Sequence, residues 1–147
     1  MTCEDYMRQA LALAREAADA GEVPVGCVIV KDGQVIGRGR NRREEDNDPS
    51  GHAEMAAIRD ACRTIGDWRL TGTQLYVTLE PCPMCAGGII SARIPEVYYG
   101  AKDAGFGACG SVLNLFEENF RHHPKIVGHI LEAECAALLG DFFSGVR

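Results

Sequence analysis

Hydrophobic and polar residues follow recognisable rhythms along this chain. Between residues 5 and 20, Met7, Ala10, Leu11, Ala14, Ala17 and Ala18 recur at the spacing of an amphipathic helix. Thr2 and Asp5 have the spacing of a capping box at its start, and Gly21 is a suitable stop at its end. Two strands are predicted next, at 25–31 and 35–41, joined by Asp32-Gly33, a strong signal for a two-residue hairpin. In the first strand Val25, Cys27 and Ile29 point one way, and Val28 and Val30 the other. With both faces apolar, it is expected at the centre of a sheet covered on both sides. A polar loop at 42–51 leads into a helix at 52–65 that stops at Gly66. A strand at 75–79, a helix at 82–92, a short strand at 97–99 and a glycine-rich loop at 101–110 follow. The last predicted helix, 131–143, is expected to bury Leu131, Cys135, Leu138, Leu139 and Phe142. Strands alternating with helices predict a layered α/β domain with parallel pairing in part of the sheet.

The 147 residues fit one domain, 1–147, large enough to fold without covalent staples. No apolar run approaches the roughly 18 residues of a membrane span. Glu4, Asp5, Arg8 and Arg15 are out of place in a signal peptide, so a cytoplasmic location is expected. The seven cysteines are an odd number, which argues against a disulfide framework. Cys27 and Cys135 lie in apolar patterns and read as small core residues. Only Cys82 and Cys85 have metal-ligand spacing. The net charge of −6 argues against non-specific nucleic-acid binding, although it leaves room for a local basic patch.

Two clusters carry chemistry: His52-Ala53-Glu54 and Pro81-Cys82-Pro83-Met84-Cys85. Each stands where the chain enters a helix. Unpaired N–H groups and the positive end of the helix dipole favour thiolate in a first turn. The three-residue offset puts both sulfurs on one side. Two thiolates and an imidazole make three zinc ligands and leave a fourth position for water, as catalytic zinc sites do. Glu54 can then take and return a proton. Residues two apart on a helix point ~200° apart. His52 and Glu54 can therefore share a site only over the helix end, with His52 near the cap.

Each cluster alone has a plainer reading. H-x-E triplets are common, and a CxxC can be a redox pair or half of a structural zinc site. A redox pair leaves His52 and Glu54 without a role. A structural site wants a second close pair, and the adjacent His122-His123 reads as surface loop. The joint order, H-x-E and then P-C-x-x-C, is the pattern of zinc nucleobase deaminases as a class.

The resemblance extends beyond these clusters. Val23-Pro24-Val25-Gly26, Asn41 and Asp48-Pro49 resemble the cytidine deaminase superfamily. The run from Thr78 to Gly87, the segments 107–111, 122–124 and 134–139, and Phe142-Phe143 resemble bacterial tRNA adenosine deaminases in particular. This resemblance implies a three-layer α/β/α fold with a mixed five-stranded sheet, and a homodimer with composite active sites. It implies one zinc ion per chain on His52, Cys82 and Cys85, with Glu54 as proton shuttle. On the substrate side it implies Asn41 as a hydrogen-bonding partner of the base, with Val25, Ala53, Asp103, Phe106 and Phe143 around it. The implied substrate is the wobble adenosine of a tRNA anticodon, converted to inosine. Two other readings stand beside it: a deaminase of free bases or nucleosides on the same fold, and a zinc-stabilised binding module without catalysis.

Two features depart from the family pattern. Gly105 stands where a lysine is usual, and Glu44, Glu45, Asp46 and Asp48 make the loop before His52 acidic. The acids are expected to form a solvated tip. Arg38, Arg40, Arg42, Arg43, Lys102, Arg121 and Lys125 are the candidates for a basic rim, and Phe142 is a further candidate for stacking.

Overall fold

The computed structural model describes residues 1–145, so the last two residues of the expected span 1–147 lie outside it. The order of elements is α1 (Cys3–Asp19), β1 (Gly26–Lys31), β2 (Gln34–Arg40), α2 (Ala53–Ile65), β3 (Thr73–Leu79), α3 (Pro83–Ser91), β4 (Glu96–Ala101), β5 (Lys125–Val127) and α4 (Glu132–Phe143). A 3-10 turn at Leu115–Glu117 precedes β5. The five strands form one sheet in the order β2-β1-β3-β4-β5. Strand β1 is antiparallel to β2 and β3, whereas β3, β4 and β5 run parallel. The sheet is therefore mixed, as expected.

Strand β1, interior to the sheet beside edge strand β2, divides two cores. Val25, Cys27 and Ile29 join Ala53, Ala57, Ala61 and Ile89 of α2 and α3 on one face. Val28 and Val30 join Tyr6, Met7, Ala10 and Leu11 of α1, with Cys135 of α4, on the other. Helices thus cover both faces, and Cys27 and Cys135 are core residues as their patterns predicted.

Local chemistry fixes the helix ends that matter for the site. Thr2 and Asp5 close a reciprocal capping box on α1. Gly66 stops α2 in the left-handed conformation. Helix α2 lies directly on β2 because Gly37 and Gly39 carry no side chain there. A Cβ at Gly39 would collide with the Ala53 carbonyl and the Ala57 amide. This contact sets the height of the α2 N-terminus over the end of the sheet.

Helix α4 departs from expectation. Leu131 is its left-handed N-cap, outside the helix. Of the five residues expected to be buried, only Cys135 is; Leu131, Leu138, Leu139 and Phe142 are half-buried. The helix packs on β4 and the end of β3, next to α1. That partial seat leaves one flank of its apolar stripe uncovered.

Candidate active site

The site lies at the C-terminal ends of β3 and β4, beneath the N-termini of α2 and α3. His52 is the N-cap of α2, with extended backbone at φ −90° and ψ 151°. Cys82 is the N-cap of α3, Pro83 opens that helix, and Cys85 follows in its first turn. Proline suits this position because its missing N–H costs nothing there. His52 Nδ1 lies 3.6 Å from Cys82 Sγ and 3.5 Å from Cys85 Sγ. One ligand atom from each of the three residues falls within a 4.8 Å cluster that can hold a metal ion. Glu54 is buried one step into α2 and lines the same cavity as His52. The cap position of His52 thus resolves the ~200° divergence of an H-x-E pair within a helix.

Electrostatics matches the donor set. The Cys82 thiol is pulled down to about 4 by a hydrogen bond from Cys85, and His52 also favours its thiolate. The His52 imidazolium is favoured in turn, first by its hydrogen bond to Cys82. Without a cation the proton of Cys85 is held, shared with Cys82 and kept on by burial. The Cys82 thiolate and the His52 imidazolium thus pair with each other, and one imidazole with two thiols is the donor set of a zinc site. Burial pushes the Glu54 carboxyl up to about 7. A group balanced there near neutral pH can both accept and donate a proton.

A cavity of about 740 Å³ opens over these groups. Residues 1–101 match the family model of the cytidine and deoxycytidylate deaminase zinc-binding region. The chain belongs to this family of zinc-binding deaminases. A tRNA-specific adenosine deaminase of Bacillus subtilis (strain 168) is 46% identical over 145 residues, covering 98% of this chain and 90% of the relative. A solved structure from work on A-to-I editing by tRNA:A34 deaminases at the wobble position of transfer RNA matches with a TM-score of 0.89 and 47% identity, covering 92% of this chain and 99% of that one. A guanine deaminase structure from Bacillus subtilis matches with a TM-score of 0.67 and 44% identity, covering 73% of this chain and 72% of that one.

The deaminase cavity gathers most of the substrate-side candidates. Val25, Asn41, Asp103, Phe106 and Phe143 line it. Ala53 does not: its side chain is fully buried, and its backbone N–H donates to Asn41 Oδ1 at 3.0 Å. Asn41 Nδ2 donates to the Val23 carbonyl at 3.1 Å, so the amide plane is fixed by bonds at both ends. Each polar atom of that amide retains capacity for one further bond. Phe142 is not among the lining residues.

The proposed basic rim separates into parts. Arg43 and Lys102 line the cavity, but Arg38, Arg40 and Arg42 line a different groove, and Arg121 and Lys125 line neither. The acidic tip is engaged with its own arginines. Glu45 accepts from Arg40 at 2.6 Å, and Asp46 accepts from Arg42 at 3.3 Å. None of the four acids at 44–48 lines the cavity.

Sequence reasoning missed two buried carboxylates. Glu80 accepts from the backbone N–H groups of Asp103, Cys109 and Ser111 and from the Ser111 hydroxyl. It pins the loop that carries Asp103 and Phe106. Burial alone would raise its pKa, but these four hydrogen bonds together hold it below the usual carboxylate value. Gly107 passes so close that a Cβ would strike the Glu80 carboxylate. Glu22 accepts from the N–H groups of Glu44 and Glu45 and anchors the other loop at the mouth. A carboxylate set directly after an apolar strand run, as Glu80 follows 75–79, was the available signal.

Proposed function

We propose that the chain, as one domain with one zinc ion, converts the wobble adenosine of a tRNA anticodon to inosine. The observation that carries this reading is a floor of half-buried His52 and Cys82 with buried Glu54 and Cys85, beneath a mouth lined by exposed aromatics and cations. His52, Cys82 and Cys85 would hold the zinc ion, which when bound would lower the pKa of a water at the site. Glu54 takes a proton at a carboxylate oxygen and delivers it to the departing amine. The water oxygen bonds to C6 of adenine as N1 takes up one of its protons; the amine takes the other, the C6–N bond breaks, and ammonia leaves inosine with a C6 carbonyl. Asn41 orients the base by its remaining donor and acceptor, with Val25 packed beside it and Asp103 at the opposite wall. Ala53 acts through its N–H, which fixes Asn41.

The mouth favours a polymer over a free base. Phe106 and Phe143 are each 70% exposed at its edge. Exposed rings suit stacking of splayed anticodon bases, and Arg43 and Lys102 suit their phosphates. Such a substrate would place the protein in the cytoplasm. The reading extends to a homodimer, because Val112, Leu113 and Phe120 expose apolar surface on the segment after the pinned loop.

The likeness to a guanine deaminase supports a second reading, in which the cavity takes a free purine base. A side-by-side assay separates the two, with a tRNA anticodon stem-loop, free adenosine and free guanine as substrates. Inosine in the stem-loop, with negligible turnover of the free compounds, is expected. Rapid guanine turnover with no inosine in RNA would favour the second reading and overturn the first.

A further inference from the structure

A second groove runs along the open edge of the sheet, outside the catalytic cavity. Edge strand β2 forms its floor, Leu13 and Glu16 of α1 one wall, and Ala56, Arg59, Asp60 and Arg63 of α2 the other. Five arginines line it: Arg38, Arg40, Arg42, Arg59 and Arg63. Only two carboxylates, Glu16 and Asp60, line it with them. In a chain of net charge −6, this is a pronounced local concentration of positive charge.

The arginines fall into two classes. Arg40 and Arg42 are held by Glu45 and Asp46. Arg38, Arg59 and Arg63 have no ion pair among the described residues, although Arg59 is close enough to favour the charged form of Asp48. Asp60 accepts the backbone N–H of Arg38 instead of a guanidinium. Arginine on an edge strand also discourages sheet-to-sheet pairing. That role explains Arg38 and Arg40 but not Arg59 and Arg63, which stand on a helix.

The groove leads to the cavity. Arg40 and Arg42 line the groove, while Asn41 and Arg43, alternating with them, line the cavity. On α2, His52 marks the catalytic end, and Ala56, Arg59, Asp60 and Arg63 follow on one helical face. From residue 56 to 63 this face extends about 10 Å at the α-helical rise. That length matches about three phosphates of a stacked strand rising ~3.4 Å per nucleotide.

We propose that this β2–α2 groove binds the sugar–phosphate backbone of RNA leading away from the nucleotide in the cavity. The proposal rests on the reading of the substrate as tRNA, and it adds Arg38, Arg59 and Arg63 to the substrate contacts. Guanidinium groups without partners recognise phosphate oxygens by paired N–H donors, independent of base sequence.

The test uses the zinc-loaded full chain and a fluorescent tRNA anticodon stem-loop. Binding is measured over a salt series for the wild type, for Arg59→Ala/Arg63→Ala and for Arg59→Lys/Arg63→Lys. Both positions are exposed, and unchanged thermal melting and zinc content confirm folding. The alanine pair is expected to weaken stem-loop binding on the order of tenfold at low salt. Its log–log salt slope should become shallower by about 1.4, or ~0.7 per lost contact. The lysine pair should recover most of the affinity. A trinucleotide spanning only the cavity should bind all three proteins alike. Equal stem-loop affinity and slope in the wild type and the alanine pair would overturn the groove, as would a wild type that binds no RNA. Inosine formation is read in parallel. RNA binding through the groove without inosine would remove the deamination reading and leave the groove standing. Inosine formation with no effect of the alanine pair would do the reverse.

Discussion

Glu54 is 4% exposed at the floor of the cavity, and Phe143 is 70% exposed at its mouth. Between them lies a change in construction. The floor hangs on helix caps and is clamped from below: His52 at the start of α2, Cys82 and Cys85 at the start of α3, and glycines on β2 that let α2 settle. Its polar groups are satisfied by one another. The mouth rests on two loops, each tied down at a few points by a single buried carboxylate, Glu80 or Glu22, and on one flank of α4. The floor can thus keep proton and metal chemistry constant while the mouth varies. The match to both an adenosine and a guanine deaminase fits that division.

The comparison can be broken first at the floor. Cys85→Ala removes a buried thiol from the three groups proposed to hold zinc. Zinc per chain should fall to a small fraction, and turnover with it to background. Full zinc by metal analysis of the variant would show that the ligands lie elsewhere.

The tie between floor and mouth comes next. Glu80→Ala leaves three N–H groups and a hydroxyl without their acceptor. Unfolding free energy should fall by on the order of 3 kcal/mol, less whatever water recovers. KM should rise as the Asp103–Phe106 loop loosens, while zinc stays bound. The pH dependence has a fixed sign. The folded Glu80 pKa lies below the ordinary value, so its contribution is complete above that value and is lost as pH falls through the folded one. Denaturant melts of the wild type and variant should therefore converge at acid pH. Parallel curves at all pH values would deny Glu80 this role.

The smallest effect belongs to the mouth. Phe143→Ala should raise KM for an anticodon stem-loop about fivefold, the lower end of base-stacking energies for an exposed ring. Neither kcat nor zinc content should change. A matching loss with free adenosine would place Phe143 in the floor's chemistry instead.

The floor was also the part most legible in the sequence. H-x-E and P-C-x-x-C are local patterns, and each coincides with a helix start whose geometry follows from chain direction alone. Strand β1 announced its interior place, covered on both sides, by apolar residues on both faces. The mouth was harder to read because its supports are non-local. Glu80 reads as a charge before a proline until residues 103–111 fold back over it. Ala53, a substrate-side candidate by resemblance, has a buried side chain and an N–H bonded to Asn41, a placement that depends on the approach of two elements. Helix α4 carried an apolar stripe, but its depth of burial depended on how much of the sheet α1 had already covered. Of the acids at 44–48, Glu45 and Asp46 are paired with Arg40 and Arg42, and none of the four lines the cavity.

The central claim is that the floor separates holding the metal from moving the proton. Glu54→Gln tests it most directly, with zinc content and turnover measured on the same preparation. The shape of the side chain is kept and the proton is not. One zinc per chain is expected, with turnover reduced at least ~10²–10⁴-fold. Near-normal turnover, or loss of zinc in step with activity, would contradict it.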